Sequence, residues 1–212
     1  MNPKVFIRSM ILMVITFIAI SVFWFTQKST SSKTQYPDTP TLLDDDNPYA
    51  SLFIPSFRLM DTQGNTIDES ILKGKYTVVD FFYTSCPLIC PGMSAAMRQI
   101  QNETTETDLQ LLSISIDPEF DTTQVIKTYS ENYSADPTRW QFANGPPEMI
   151  DLILAGVGFD LTDLNTDEGF RNIGHPSTIL LIGPDLHAIK LYRYSDPDQI
   201  DELIKTAHEL AG

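Results

Sequence analysis

The chain has 212 residues, of which 42% are hydrophobic and 20% charged, and its formal net charge is −14 at pH 7. That is apolar enough to bury a core, which excludes a disordered chain. The acidity is uneven, since none of the 28 acidic residues but four of the 14 basic ones fall within the first 33 positions. The rest of the chain would be repelled by nucleic acid and by anionic headgroups, which excludes a DNA or RNA role.

Residues 9–25, "SMILMVITFIAISVFWF", carry no charge. As a helix they would reach roughly 26 Å, enough to cross the hydrocarbon core with Arg8 snorkelling. The run is longer than the apolar part of a secretory signal and ends in bulky rather than small residues, so residues 1–26 are expected to stay as a membrane anchor. Basic residues flank it on both sides, and charge alone does not set its orientation. Residues 27–50 are rich in Ser, Thr, Pro and Asp without periodicity, which predicts a flexible tether. Residues 51–212 are then the folded domain.

Within that domain, alternation around Asp61-Thr62-Gln63-Gly64 predicts a hairpin. The β-branched and aromatic run "YTVVDFFY" (76–83) predicts a strand buried on both faces. A helix over 92–101, a second buried strand over 109–116 and a helix over 122–133 follow. Trp140 marks a short strand or turn, and a further helix covers 147–155. After an acidic loop over 157–174, "STILLIG" and "AIKLYRY" form a hairpin through Pro184-Asp185. A last helix starts after Asp196 as N-cap and Pro197. Strands alternating with helices and ending in a hairpin and helix predict an α/β fold, a mixed sheet flanked by helices on both faces.

The chain's two cysteines both lie in "FFYTSCPLICPGM" (81–93), where the buried strand gives way to a helix. That is the usual place for a site in an open α/β sheet. Pro91 suits the first turn of the helix, and the helix end favours thiolate over thiol. The spacing Cys86-x-x-x-Cys90 is one residue wider than the common redox motif, and it is compatible with a structural disulfide, a redox pair or a soft-metal site. Of the three histidines, His187 falls in a hairpin turn and His208 in the last helix, both expected at the surface. His175 directly precedes a strand and can lie beside the strand end that presents Cys86. Two thiolates and an imidazole suit copper, whereas a closed zinc site would need a fourth ligand. Asp117 follows the second buried strand and can reach the same edge. Met93 and Met97, one helical turn apart, are expected in the core.

These residues resemble the Sco/SenC family, the copper chaperones and thiol proteins of cytochrome oxidase assembly. The resemblance runs from about residue 54 to 210. It rests on "LKGKYTVVDFFYTSCPLICPGM" with the family's C-x-x-x-C-P, on "SISIDPEFDT", and on His175 placed eight residues before Gly183 in "LIGPD". It implies a thioredoxin-like domain tethered to a membrane, here a bacterial inner membrane with the domain on the periplasmic side. It implies copper, as Cu(I) or Cu(II), held by Cys86, Cys90 and His175, with Asp117 near the metal. The implied partners are a copper donor protein and, as client, the binuclear copper centre of cytochrome c oxidase subunit II or a similar copper site. Two departures stand out: Pro176 follows the histidine, and Leu186 replaces the last glycine of the usual G-P-D-G turn, which is expected to change the turn after Asp185.

Two activities are compatible with this pattern. One is a metallochaperone that passes copper on by ligand exchange. The other is a thiol–disulfide oxidoreductase, in which Cys86 and Cys90 are the redox-active pair and His175 is not required. A peroxiredoxin is excluded, because its P-x-x-x-T-x-x-C pattern would place Pro and Thr where Val79 and Tyr83 stand.

Overall fold

The computed structural model describes residues 47–159 and 176–212. The expected anchor, nearly all of the expected tether and His175 lie outside them. Among the described residues no helix is long and apolar enough to cross a membrane.

The predicted hairpin is formed by β1 (Arg58–Asp61) and β2 (Thr66–Asp68), antiparallel with Leu59 opposite Ile67. Its turn is set by Asp61, whose Oδ1 accepts from the N–H groups of Gln63 and Asn65, both at 2.8 Å. Gly64 takes the positive φ of 85° that the turn requires.

Strand β3 (Thr77–Phe82) is buried at all six positions. It lies between β4 (Gln110–Ser115), to which it is parallel, and β6 (Thr178–Ile182), to which it is antiparallel. Helix α1 (Cys90–Glu103) connects β3 to β4. Helix α2 (Thr123–Asn132), capped by the Thr122 hydroxyl, connects β4 to β5 (Trp140–Asn144). Helix α3 (Pro147–Gly156), strand β7 (Ala188–Arg193) and helix α4 (Pro197–Ala211) complete the set. The seven strands form one mixed sheet in the order β2-β1-β5-β4-β3-β6-β7. The segment at Trp140 is thus a full strand, paired with β4 on one side and β1 on the other.

Trp140, Tyr192, Phe81, Phe82 and Phe142 are among the largest fully buried side chains. Phe82 stacks on Tyr129 of α2 with centroids 5.0 Å apart and meets Phe142 edge-on at 5.3 Å. Burying a ring of this size is worth roughly 1.5–3 kcal/mol. Met93 and Met97 are fully buried, as their helical spacing predicted. Asp196 occupies the N-cap position of α4 without capping it; its carboxylate accepts from Gln199 Nε2 at 3.1 Å instead. Leu186 takes φ 73°, so a leucine bears the left-handed backbone that glycine adopts without strain, and its N–H closes the turn onto Gly183 O at 2.9 Å.

The sheet has two distinct ends. Strands β3, β4 and β5 are parallel and finish at one end, where β6, running the other way, begins. Buried Pro176, just before β6, therefore stands at the end where β3 leads into the cysteine loop. At the other end a strap over residues 47–54 crosses the domain. Phe53 N–H bonds Gly156 O, Ile54 N–H bonds Leu186 O, and Ala188 N–H bonds Leu52 O, at 2.8 to 2.9 Å. Asn47 Nδ2 adds a bond to Ala188 O at 2.9 Å.

Candidate functional site

Beyond Phe82 the chain leaves the sheet through a tight turn closed by Cys86 N–H on Tyr83 O at 3.2 Å, then enters α1 at Cys90. Pro91 sits in the first turn of that helix and no oxygen-bearing side chain caps it. The first amides of a helix need acceptors from outside. Cys86 Sγ supplies one, accepting from Cys90 N–H at 3.4 Å. The spacing of four residues brings the first sulfur under the helix end that carries the second. Cys86 and Cys90 are both buried and are not joined by a disulfide.

The two thiols differ. Burial pushes the Cys86 thiol up, but hydrogen bonds from the Cys90 amide and thiol and from the Leu88 amide outweigh it, and the group ends below its ordinary value. Burial pushes the Cys90 thiol far up, and the nearby Cys86 and Asp80 charges add to this. The Cys86 thiol therefore ionises more readily than the Cys90 thiol. Leu88, between them, is 79% exposed, so the loop is open to a partner. Across the first turn of α1 lies the ring of Tyr194: a Cβ at Gly92 would meet it at 2.7 Å, which explains the glycine after Cys-Pro.

Asp117 is buried at the same end of the sheet, its N–H donating to Ser115 Oγ at 3.2 Å. Among the described residues, which do not include His175, no group of three His, Cys, Asp or Glu side chains is assembled to hold a metal. His187 and His208 are exposed, as expected, the first 3.4 Å from Asp185 and the second 2.8 Å from Glu103 O.

Two carboxylates escaped the sequence reading. Asp80, in the middle of β3, is fully buried; the Ser113 hydroxyl donates to its Oδ1, and Trp140 Nε1 donates to Ser113 Oγ at 2.8 Å. Its Oδ2 has no hydrogen-bond partner among the described residues, and burial raises its pKa to about 7. A lone acid in a run buried on both faces was the available signal. Asp121 is fully buried beside the cysteine turn, and burial raises its pKa. Directly before a helix N-cap it looked like an ordinary solvated acid.

The SCO1/SenC family model matches residues 45–211. The SCO1 protein homolog of Bacillus subtilis (strain 168) is 28% identical over 153 residues, which cover 71% of this chain and 79% of that protein. Bradyrhizobium japonicum ScoI, solved with copper bound, aligns with a TM-score of 0.62 at 25% identity, covering 73% of this chain and 99% of that one. BsSco is described as a member of the Sco family of cytochrome c oxidase assembly proteins, with a disulfide switch. It aligns with a TM-score of 0.63 at 25% identity, covering 80% of this chain and 99% of that one. These likenesses bear out the thioredoxin-like fold. Since one family model runs through the strap, the cysteine loop and the closing helix alike, the chain belongs to the SCO1/SenC family.

Proposed function

We propose that the protein is a copper metallochaperone. Cys86, Cys90 and His175 hold one copper ion, with Asp117 close by, and the ion passes by ligand exchange to the binuclear copper centre of cytochrome c oxidase subunit II or a similar client. A copper donor protein loads it. Residues 1–26 anchor it in a bacterial inner membrane, residues 27–50 form the tether, and the domain over 51–212 works on the periplasmic side.

The observation that carries this reading is the direction of β6. Because it is antiparallel to β3, Pro176 stands at the end of the sheet where Cys86 and Cys90 are found. His175 directly precedes Pro176 in the sequence and lies outside the described residues, so the support is the position of Pro176 alone. The donor set fits copper: two sulfurs, one of them with its pKa lowered by hydrogen bonds, in a setting with little water. Copper in B. japonicum ScoI and the role ascribed to the BsSco family support the same reading.

A second reading is a thiol–disulfide oxidoreductase, favoured by the contrast between the two thiols. The Cys86 thiolate would attack a client disulfide, and Cys90 would resolve the mixed disulfide, leaving the client reduced and this pair oxidised.

Copper titration of the reduced full-length chain in detergent separates the two. The expected result is thiolate-to-Cu(II) absorption saturating at one copper per chain, with affinity about tenfold or more weaker in His175→Ala. Absent copper binding, or binding indifferent to His175, together with reduction of a client disulfide would replace the chaperone by the oxidoreductase.

A further inference from the structure

One buried residue, Asp121, is bonded to the ends of all three parallel strands, to two through its carboxylate and to the third through its backbone carbonyl. Asp121 Oδ2 accepts from Thr84 N–H at 3.0 Å and from the Ser115 hydroxyl at 2.6 Å. Its Oδ1 accepts from the Thr84 hydroxyl at 2.5 Å. Its backbone carbonyl accepts from Asn144 Nδ2 at 2.6 Å, and its N–H donates to Asp117 O at 2.8 Å. Thr84 lies two residues beyond β3, Ser115 ends β4 and Asn144 ends β5. Asp121 therefore ties the turn that carries Cys86 to the loop that carries Asp117.

The turn needs this tie. Its own closing bond, Cys86 N–H on Tyr83 O, leaves the amide of Thr84 to be satisfied from elsewhere, and the acceptor found is the Asp121 carboxylate. An ionised carboxylate is acceptor-only and can take three donors on two oxygens, which no hydroxyl can do. Removing it would strand Thr84 N–H and free the turn, and with it the position of Cys86 Sγ under the amide of Cys90.

We propose that Asp121 is a positioning residue for the copper site, holding the Thr84–Cys86 turn so that the two sulfurs stay in register with each other and with the Asp117 loop. This rests on the copper reading above. Asp121 itself touches neither sulfur in the hydrogen-bond network and acts through Thr84.

The test uses the full-length chain in detergent, with Asp121→Ala, Asp121→Asn and Thr84→Val. Amide hydrogen exchange is read on the reduced, copper-free protein, and Cu(I) affinity by competition with a chromophoric chelator. In Asp121→Ala, exchange at Thr84 and Cys86 should speed up about tenfold or more while Ile100 inside α1 is unchanged, and the copper dissociation constant should rise about tenfold or more. Asp121→Asn keeps an oxygen for Thr84 N–H and should restore affinity to within about threefold of wild type. Thr84→Val loses only the hydroxyl bond and should fall between the two; it decides the matter if Asp121→Ala does not fold. Unchanged exchange at Thr84, or faster exchange with unchanged copper affinity, would overturn the proposal. A wild-type chain that binds no copper overturns the copper reading instead, and the positioning of the turn is then decided by exchange alone.

Discussion

No serine, threonine or aspartate side chain caps α1; the sulfur of Cys86, from the turn before it, accepts the helix's first amide instead. The same bond that satisfies the helix keeps the Cys86 thiol below its ordinary pKa, while Cys90, with burial against it, is driven up. Iodoacetamide should therefore modify Cys86 first. In reduced, copper-free protein near pH 8, Cys90→Ser should alkylate at least about tenfold faster than Cys86→Ser. Equal rates in the two single-cysteine proteins would refute the asymmetry. The cysteine pair was legible in the sequence because its residue types and its place between strand and helix announce it. Asp121 was not, because its importance comes from Thr84 and Ser115, which reach it only after three strands have been laid side by side.

At the scale of elements, β3 shows both what a sequence displays and what it conceals. Its β-branched and aromatic content announced a strand buried on both faces, and all six positions are buried. The same run contains Asp80, whose protonation depends on neighbours in β4 and β5 that the sequence does not identify. Folded, this carboxyl titrates at about 7, against 3.8 when free of the fold. Between these values the folded chain keeps a proton that the unfolded chain releases, so the group's contribution to stability is fully present below pH 4 and is lost as pH rises through 7. The slope is at most about 1.4 kcal/mol per pH unit. Asp80→Asn, neutral throughout, should lack it. Paired urea unfolding at pH 4.5, 6 and 8 should show the variant gaining on wild type as pH rises, by up to about 3 kcal/mol between the first and last pH. A constant difference across that range would show that Asp80 is not the titrating group. Strand β5 was seen only as a short strand or turn, since five residues around one tryptophan give too little alternation to identify a strand inside the sheet.

For the whole molecule, element order and the mixed character of the sheet were readable from alternating periodicities. Strand order was not, because nothing local to β1 or β6 states that one will pair with β5 and the other with β3. The apolar run at the N-terminus belongs to this scale too. With residues 1–26 as an anchor, the chain should sediment with membranes and resist extraction by high salt and carbonate, and deletion of those residues should move it to the soluble fraction. Release of the intact chain by salt alone would argue against a spanning segment.

The strap over residues 47–54 gives the domain a polarity. It is bonded to Gly156, Leu186 and Ala188 at the end of the sheet away from the cysteines. Asn47, the first of the described residues, belongs to that pole through its bond to Ala188 O. The thiols sit a strand's length away, roughly 20 Å for six residues. The cysteine loop, with exposed Leu88, therefore stands at the pole opposite the strap, so a protein that docks on the loop leaves the strap uncovered.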